Sequence, residues 1–157
     1  MDLYLMQHGE AVAAEVDPER PLDEAGRGNA AAVAARAARC GVRIEAIRHS
    51  DKLRAVQTAQ ILGRTLACAD VAPATGLHPK DPVEVAVLGL IHDATWESLA
   101  IVGHLPFLDR LASLLVAGDQ DVPVIAFHNA GLVKLVPAQA DQGFVVDWVL
   151  TPQLAQA

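Results

Sequence analysis

The chain lacks most of what would tie it to a membrane, a nucleic acid or a disulfide framework. No apolar stretch among the 157 residues reaches the roughly 18 to 20 needed to cross a bilayer. No cationic segment precedes the first apolar run, and Asp2 stands where a secretory leader wants positive charge; the expectation is a cytoplasmic protein with no membrane association. Lys and Arg number 12 against 19 Asp and Glu, a net charge of −7, and the basic residues are not clustered. That argues against a nucleic-acid partner, which calls for a basic face. The two cysteines, Cys40 and Cys68, fall inside helical patterns and read as small buried apolar residues, not as a disulfide or a reactive thiol. A Walker A loop and a G-x-G-x-x-G turn are both missing. The six histidines (8, 49, 78, 92, 104, 128) include no i, i+3 or i, i+4 pair, and no cysteine or carboxylate motif has zinc-ligand spacing. We therefore expect neither a metal nor an organic cofactor.

What is present is alternation. Buried strands are expected at 2–7, 44–48, 70–73 and 98–103, with two more near 132–136 and 144–149. Helices are expected at 23–40, 51–67, 81–91 and 105–117. Asp23 suits the N-cap of the first helix and Gly41 the position past its end. Ser50 or Asp51 suits the cap of the second, and Pro82 and Pro106 sit early in the third and fourth. The tail after Pro152 reads as loose. Strand–helix repetition implies one α/β domain over 1–157, in three α/β/α layers around a mostly parallel sheet.

In such sheets chemistry gathers at the carboxyl ends of the strands. The stretch "LYLMQHGEA" (3–11) runs a buried strand into His8-Gly9. The second strand leads to Ser50 and to Arg54 in the first turn of a helix. "SLAIVG" (98–103) runs into His104. Glycine beside each histidine permits close backbone or ligand approach. Helix N-termini offer N–H groups and a positive dipole end, and Arg54 offers a planar fork suited to phosphate oxygens. Two histidines and an arginine over backbone donors describe a phosphate pocket, in which an imidazole can attack phosphorus.

These residues carry a resemblance. "QHGEA" (7–11) resembles the Arg-His-Gly signature of the histidine phosphatase (phosphoglycerate mutase-like) superfamily, and "RPLDEAG" (20–26) its Pro-Leu-Thr-x-x-Gly stretch. "HSDKLRAVQTA" (49–59) is similar to its Ser-x-x-x-Arg-Ala-x-Gln-Thr-Ala stretch, and "VGHLP" (102–106) to its second histidine motif. The short length and the Arg-Pro-Leu and His-Leu-Pro variants are similar to bacterial phosphohistidine phosphatases of the SixA type. The resemblance implies that His8 is the transiently phosphorylated nucleophile. It implies that Arg54 holds the phosphoryl oxygens, that His104 faces His8 across the transferring group, and that Arg20 is a further phosphate contact. Gln7 and Gly9 complete the expected phosphate-binding set.

Two departures stand out. Gln7 occupies the place of a phosphate-clamping arginine, so the charge is expected either to be lost, giving a slow enzyme or a mere phosphate-binding module, or to be supplied by Arg48 or Lys80. The segment that carries a general-acid Glu in larger relatives reads "ATGLHPKDP" (74–82), with Gly76 near the expected place and His78 or Glu84 as remaining candidates. Imidazole, with a reference pKa of about 6.5, leaves with far less help than an alkoxide. A site without that Glu suits a phosphoramidate better than a small phosphate ester. The implied activity is dephosphorylation of a phosphohistidine-bearing protein, a histidine-transfer domain or a phosphocarrier, by a monomeric, cofactor-independent phosphatase in signal transduction.

Overall fold

A computed structural model describes residues 1–139 and 143–157. Strands β1 (Asp2–Gln7), β2 (Ala46–His49), β3 (Asp70–Pro73), β4 (Ser98–Gly103), β5 (Leu132–Pro137) and β6 (Phe144–Leu150) form one sheet in the order β3-β2-β4-β1-β5-β6. The first four in that order are mutually parallel, whereas β5 runs antiparallel to both β1 and β6. The sheet is mostly parallel, as expected.

The near-continuous apolar runs of β1 and β4 are explained by burial on both faces. Side chains alternate along a strand. Tyr4, Met6, Ala100 and Val102 pack with Ile47 against α1 (Glu24–Arg39) and α2 (Leu53–Leu66). Leu3, Leu5, Leu99 and Ile101 pack against Phe107, Leu108, Leu111 and Ala112 of α4 (Phe107–Ala117). Ala30, Ala34 and Ala37 line the inner face of α1, so the helix lies close to its neighbours.

Local signals decide the helix ends. Asp23 caps α1 by accepting from the Gly26 amide at 2.7 Å, and Gly41 follows the helix at φ 78°. The second helix starts two residues later than expected: Lys52 holds the N-cap without a side-chain bond. Neither expected cap serves: Ser50 turns its hydroxyl to His104, and the Asp51 carboxylate pairs with His78. The third helix is also different. After one turn, α3 (Val83–Ala86), the chain continues as a π-helix over Val87–His92.

Two further expectations are corrected. The tail folds into α5 (Pro152–Gln156), capped by the Thr151 hydroxyl, with Ala155 buried against the α1 side of the core and Gln156 bonded to Asn29. Such a helix is too short to leave a periodic pattern in sequence. The cysteines are free, but Cys40 is exposed and Cys68 half-buried, because Cys40 ends α1 and Cys68 follows α2, where the helices leave the core. No described helix is long and apolar enough to cross a membrane.

Candidate active site

Three strand ends converge by register. Gln7 of β1 pairs with Gly103 of β4, and His49 of β2 with Val102. The ladder continues one step beyond the strands: the His8 amide donates to the Gly103 carbonyl at 3.0 Å, and the Ser50 amide to the Val102 carbonyl at 3.1 Å. His8, Ser50 and His104 are thereby brought to one edge, and α2 adds Arg54 from its first turn.

The tautomer of His8 follows from its partners. A carbonyl can only accept, so the contact of Nδ1 with the Gly9 carbonyl at 2.7 Å puts the proton on Nδ1. Nε2 keeps its lone pair and accepts from Arg54 Nε at 3.2 Å. Burial first, and then the charges of Arg54 and Arg20, lower the His8 pKa, partly offset by the Gly9 bond and by Glu10. The ring is held neutral with its lone pair facing a guanidinium.

His104 lies across from it, with ring centroids 5.1 Å apart and planes inclined by 60°. Its Nε2 is 2.8 Å from Ser50 Oγ. Only 2% exposed, it has a pKa pushed down to about 3, first by burial and then by His8 and Arg54. Arg54 is itself lowered, by burial and by the charge of Arg20. Arg20 thus stands within electrostatic reach of His8 and Arg54, with its Nε donating to the Val12 carbonyl at 3.2 Å.

The remaining motif residues hold this frame. Thr58 accepts from the Gly9 amide at 3.1 Å and donates to the Arg54 carbonyl at 2.8 Å, linking the His8 loop to α2. Gln57 accepts from the Leu22 amide at 2.7 Å, fastening α2 to the Arg20–Leu22 segment. Gly9 and Gly26 meet backbone to backbone. A Cβ on Gly9 would stand 2.7 Å from the Gly26 carbonyl oxygen, and one on Gly26 would stand 2.1 Å from that of Glu10. Both glycines are spacers that let α1 start against the loop carrying His8.

Gln7 departs from the sequence expectation. Its Nε2 donates to Asn129 Oδ1 at 2.5 Å, and its Oε1 is buried without a partner. The expected substitute cation Arg48 is elsewhere, paired with both carboxylate oxygens of Asp70 at 2.8 and 3.0 Å and stacked on Trp96. The second positive charge near His8 comes from Arg20. Sequence reasoning gave Asn129 no role and Ser50 only that of a candidate helix cap. Ser50 had a signal, since it lies inside the arginine motif, whereas Asn129 had none. Among the described residues three side-chain atoms are buried and unpaired, and two of them, Gln7 Oε1 and His104 Nδ1, are in this site. Buried polar groups are rarely left unpaired without a reason. An anionic ligand would account for His104 Nδ1, which can carry a proton and donate, but not for Gln7 Oε1, an amide oxygen that can only accept. Among the described residues no group of three or more His, Cys, Asp or Glu could hold a metal ion.

Residues 3–78 match the model of the histidine phosphatase superfamily, branch 1. A protein of Picosynechococcus sp., itself uncharacterized, is 33% identical over 149 residues, covering 86% of this chain and 84% of its own. The structure of the protein histidine phosphatase SixA complexed with tungstate superposes with a TM-score of 0.83 at 25% identity, over 98% of both chains. A structure carrying the SixA name from Agrobacterium tumefaciens gives 0.78 at 24% identity, over 96% of this chain and 97% of that one. The motifs that resembled a family in sequence thus come together as one site on that family's fold, and the chain belongs to the histidine phosphatase superfamily, as a phosphatase of SixA-type architecture.

Proposed function

We propose that this phosphatase removes the phosphoryl group from phosphohistidine in a partner protein, a histidine-transfer domain or a phosphocarrier, through a phospho-His8 intermediate. The observation that carries the reading is the state of His8 Nε2: unprotonated, oriented through Nδ1, and facing Arg54 Nε at 3.2 Å. An arriving phosphoryl group takes the place of that hydrogen bond. Arg54 then turns its N–H groups to the phosphoryl oxygens. Arg20 adds charge, the Gly9 turn lets the substrate approach, and His104 receives the far side of the group. Electrostatic stabilisation of this kind supplies most of the catalysis in phosphoryl transfer.

Bond cleavage in the first half-reaction passes the P–N electron pair to the departing imidazole. In the second, water attacks phosphorus and the His8–P bond breaks. Gln7 fits this substrate class. A neutral amide demands less anionic charge in the ligand than an arginine would, and a protonated phosphoimidazole brings its own positive charge. The catalytic constellation comes from one chain, consistent with a monomer, and the chemistry needs no cofactor. The reading places the protein in cytoplasmic signal transduction. The likeness to the SixA structure supports the substrate assignment.

The test is a steady-state comparison of a phosphorylated histidine-transfer domain and a small phosphoramidate against sugar phosphates, with acid-labile label on His8 followed in parallel. Preference for the P–N substrates with transient label on His8 is expected. Turnover confined to sugar phosphates would assign a small-ester phosphatase instead. A stable adduct, or oxyanion binding without turnover, would assign a binding module.

A further inference from the structure

The loop between β3 and α3 brings a third histidine to the rim of the site. It is fixed at several points. The Ala74 amide donates to the His49 carbonyl at 3.0 Å. Leu77 is fully buried, and its carbonyl oxygen lies 3.8 Å from where a Cβ on Gly103 would be, one residue from His104. Arg110 of α4 donates to the carbonyls of Pro79 and Asp81 at 3.3 and 3.1 Å. His78 sits on this anchored loop, its amide donating to Asp81 Oδ2 at 2.8 Å. Its ring is oriented by a carboxylate from the other side of the site mouth: Nε2 is 2.7 Å from Asp51 Oδ1. Asp51 directly follows Ser50, the partner of His104. His78 is also among the groups whose charge acts on His104.

The pair has little to offer stability. The side chains are 45% and 68% exposed, and an exposed ion pair contributes roughly 0 to 1 kcal/mol. It does leave His78 Nδ1 without a protein partner among the described residues, beside an open cleft of about 360 Å³ lined by Asp51, Pro73, Thr75, Gly76, His78 and Asp81. A histidine held through one nitrogen by a carboxylate, with the other free at an open cleft, is arranged for proton transfer.

Resting on the phospho-His8 reading, we propose that His78, positioned by Asp51, is the proton-transfer residue of this phosphatase, and that its presence extends the substrate range to phosphate monoesters with poor leaving groups. In the first half-reaction His78 enters as the imidazolium, with Nε2–H on Asp51 and a second proton on Nδ1. His8 Nε2 bonds to phosphorus, the P–O bond of the ester breaks with its electron pair going to the departing oxygen, and the Nδ1 proton passes to that oxygen. In the second, a water oxygen bonds to phosphorus and its proton goes to Nδ1. The His8–P bond breaks with its electron pair returning to Nε2, and inorganic phosphate leaves. A phosphoramidate needs His78 only in the second half, because imidazole departs without a proton from the enzyme. His78 then acts from its neutral form, its Nδ1 proton having gone to solvent, and takes the proton of the attacking water on Nδ1.

The experiment compares wild type with His78→Gln and Asp51→Asn on 4-nitrophenyl phosphate, phenyl phosphate, an alkyl phosphate and a phosphoramidate, with rapid-quench measurement of phospho-His8. In His78→Gln, phosphorylation by the alkyl phosphate should fall by roughly 10²-fold or more, the usual scale for a general acid. Phosphorylation by 4-nitrophenyl phosphate should change little, and phospho-His8 should accumulate from the phosphoramidate. Asp51→Asn should give the same ordering more weakly. Melting temperature and tungstate affinity report the fold independently. An equal loss across all four substrates, or none, overturns the role of His78 while the phospho-His8 reading stands. Wild type that never carries phosphate on His8 overturns the parent reading and this one together.

Discussion

Gln7 and Asn129, 122 residues apart in sequence, form an amide pair at 2.5 Å beneath the site, with Gln7 Oε1 buried and unpaired beside it. The pair takes one of the two N–H donors of the Gln7 amide and leaves a single neutral N–H that could be aimed at a phosphate. An arginine in its place could still donate to Asn129 Oδ1 and keep further N–H groups for the ligand. Gln7→Arg is therefore expected to raise kcat/KM on a phosphohistidine substrate by about tenfold, equivalent to about 1.4 kcal/mol. Steady-state kinetics check this. A fall in activity at unchanged melting temperature would mean that the site has been rebuilt around a neutral pair.

Arg54 touches His8 through Nε, and this decides what a substitution does. Arg54→Ala should lower kcat by roughly 10² to 10³-fold, the scale for one preorganised charge-stabilising donor. Arg54→Lys should recover little of it, because an ammonium cannot both reach Nε2 and present a fork to the phosphoryl oxygens. Recovery to within a few-fold by lysine would reduce the role of Arg54 to simple charge.

His8→Ala should leave no measurable turnover and no label on the protein. The ring is half-buried at a strand end, so its loss opens little of the core, and melting should change by only a few degrees. Tungstate should still raise the melting temperature, since Arg54, Arg20 and His104 remain and ligand binding stabilises the folded state by mass action. Residual activity above a few per cent would place the nucleophile elsewhere.

The two site histidines also set a pH dependence of stability. His104 has a folded pKa of about 3 against 6.5 when unfolded, chiefly through burial, and His8 is shifted in the same direction. Between those values the unfolded chain binds protons that the folded one does not, so stability is complete above pH 6.5 and is lost as pH falls below it. His104 alone contributes a slope approaching one proton, about 1.4 kcal/mol per pH unit. Denaturant unfolding between pH 6.5 and 5 stays above the range where carboxylates such as Asp51 and Asp70 add to the effect. His104→Asn should flatten the slope there, and an unchanged slope would show that His104 is not the buried neutral group.

The site was legible where chemistry and local structure coincide. His8, Arg54 and His104 each follow a strand whose apolar run is visible in sequence, so the α/β reading alone carries them to one edge. What escaped depends on contacts that no local pattern encodes. Asn129 meets Gln7 only because β5 folds back antiparallel beside β1. Ser50 read as a helix cap because its type favours caps, but the buried His104 ring competes for the same hydroxyl. Arg48 read as a spare cation, yet its strand is flanked by β3, whose Asp70 takes it.

The spacing between Gly9 and Gly26 offers a test of the frame through stability, with its own control in the same helix. Gly26 and Gly28 both lie in α1, where alanine is ordinarily favoured over glycine by about 1 kcal/mol. A Cβ at Gly28 meets nothing within 4 Å, so Gly28→Ala should stabilise the protein by roughly that amount. A Cβ at Gly26 would stand 2.1 Å from the Glu10 carbonyl oxygen and 2.8 Å from the Glu10 nitrogen. Both are backbone atoms of the loop behind His8, and neither can swing aside as a side-chain tip would. Gly26→Ala must push α1 away from that loop, at a cost of roughly 1 to 3 kcal/mol, as for overpacking in a tight interior. Because Gly9 carries the carbonyl that fixes the His8 tautomer, the same change should also lower kcat. Denaturant unfolding of the two variants, with activity measured on each, checks both statements. Equal effects of the two substitutions would show that α1 does not rest on the His8 loop as closely as the glycine pair implies.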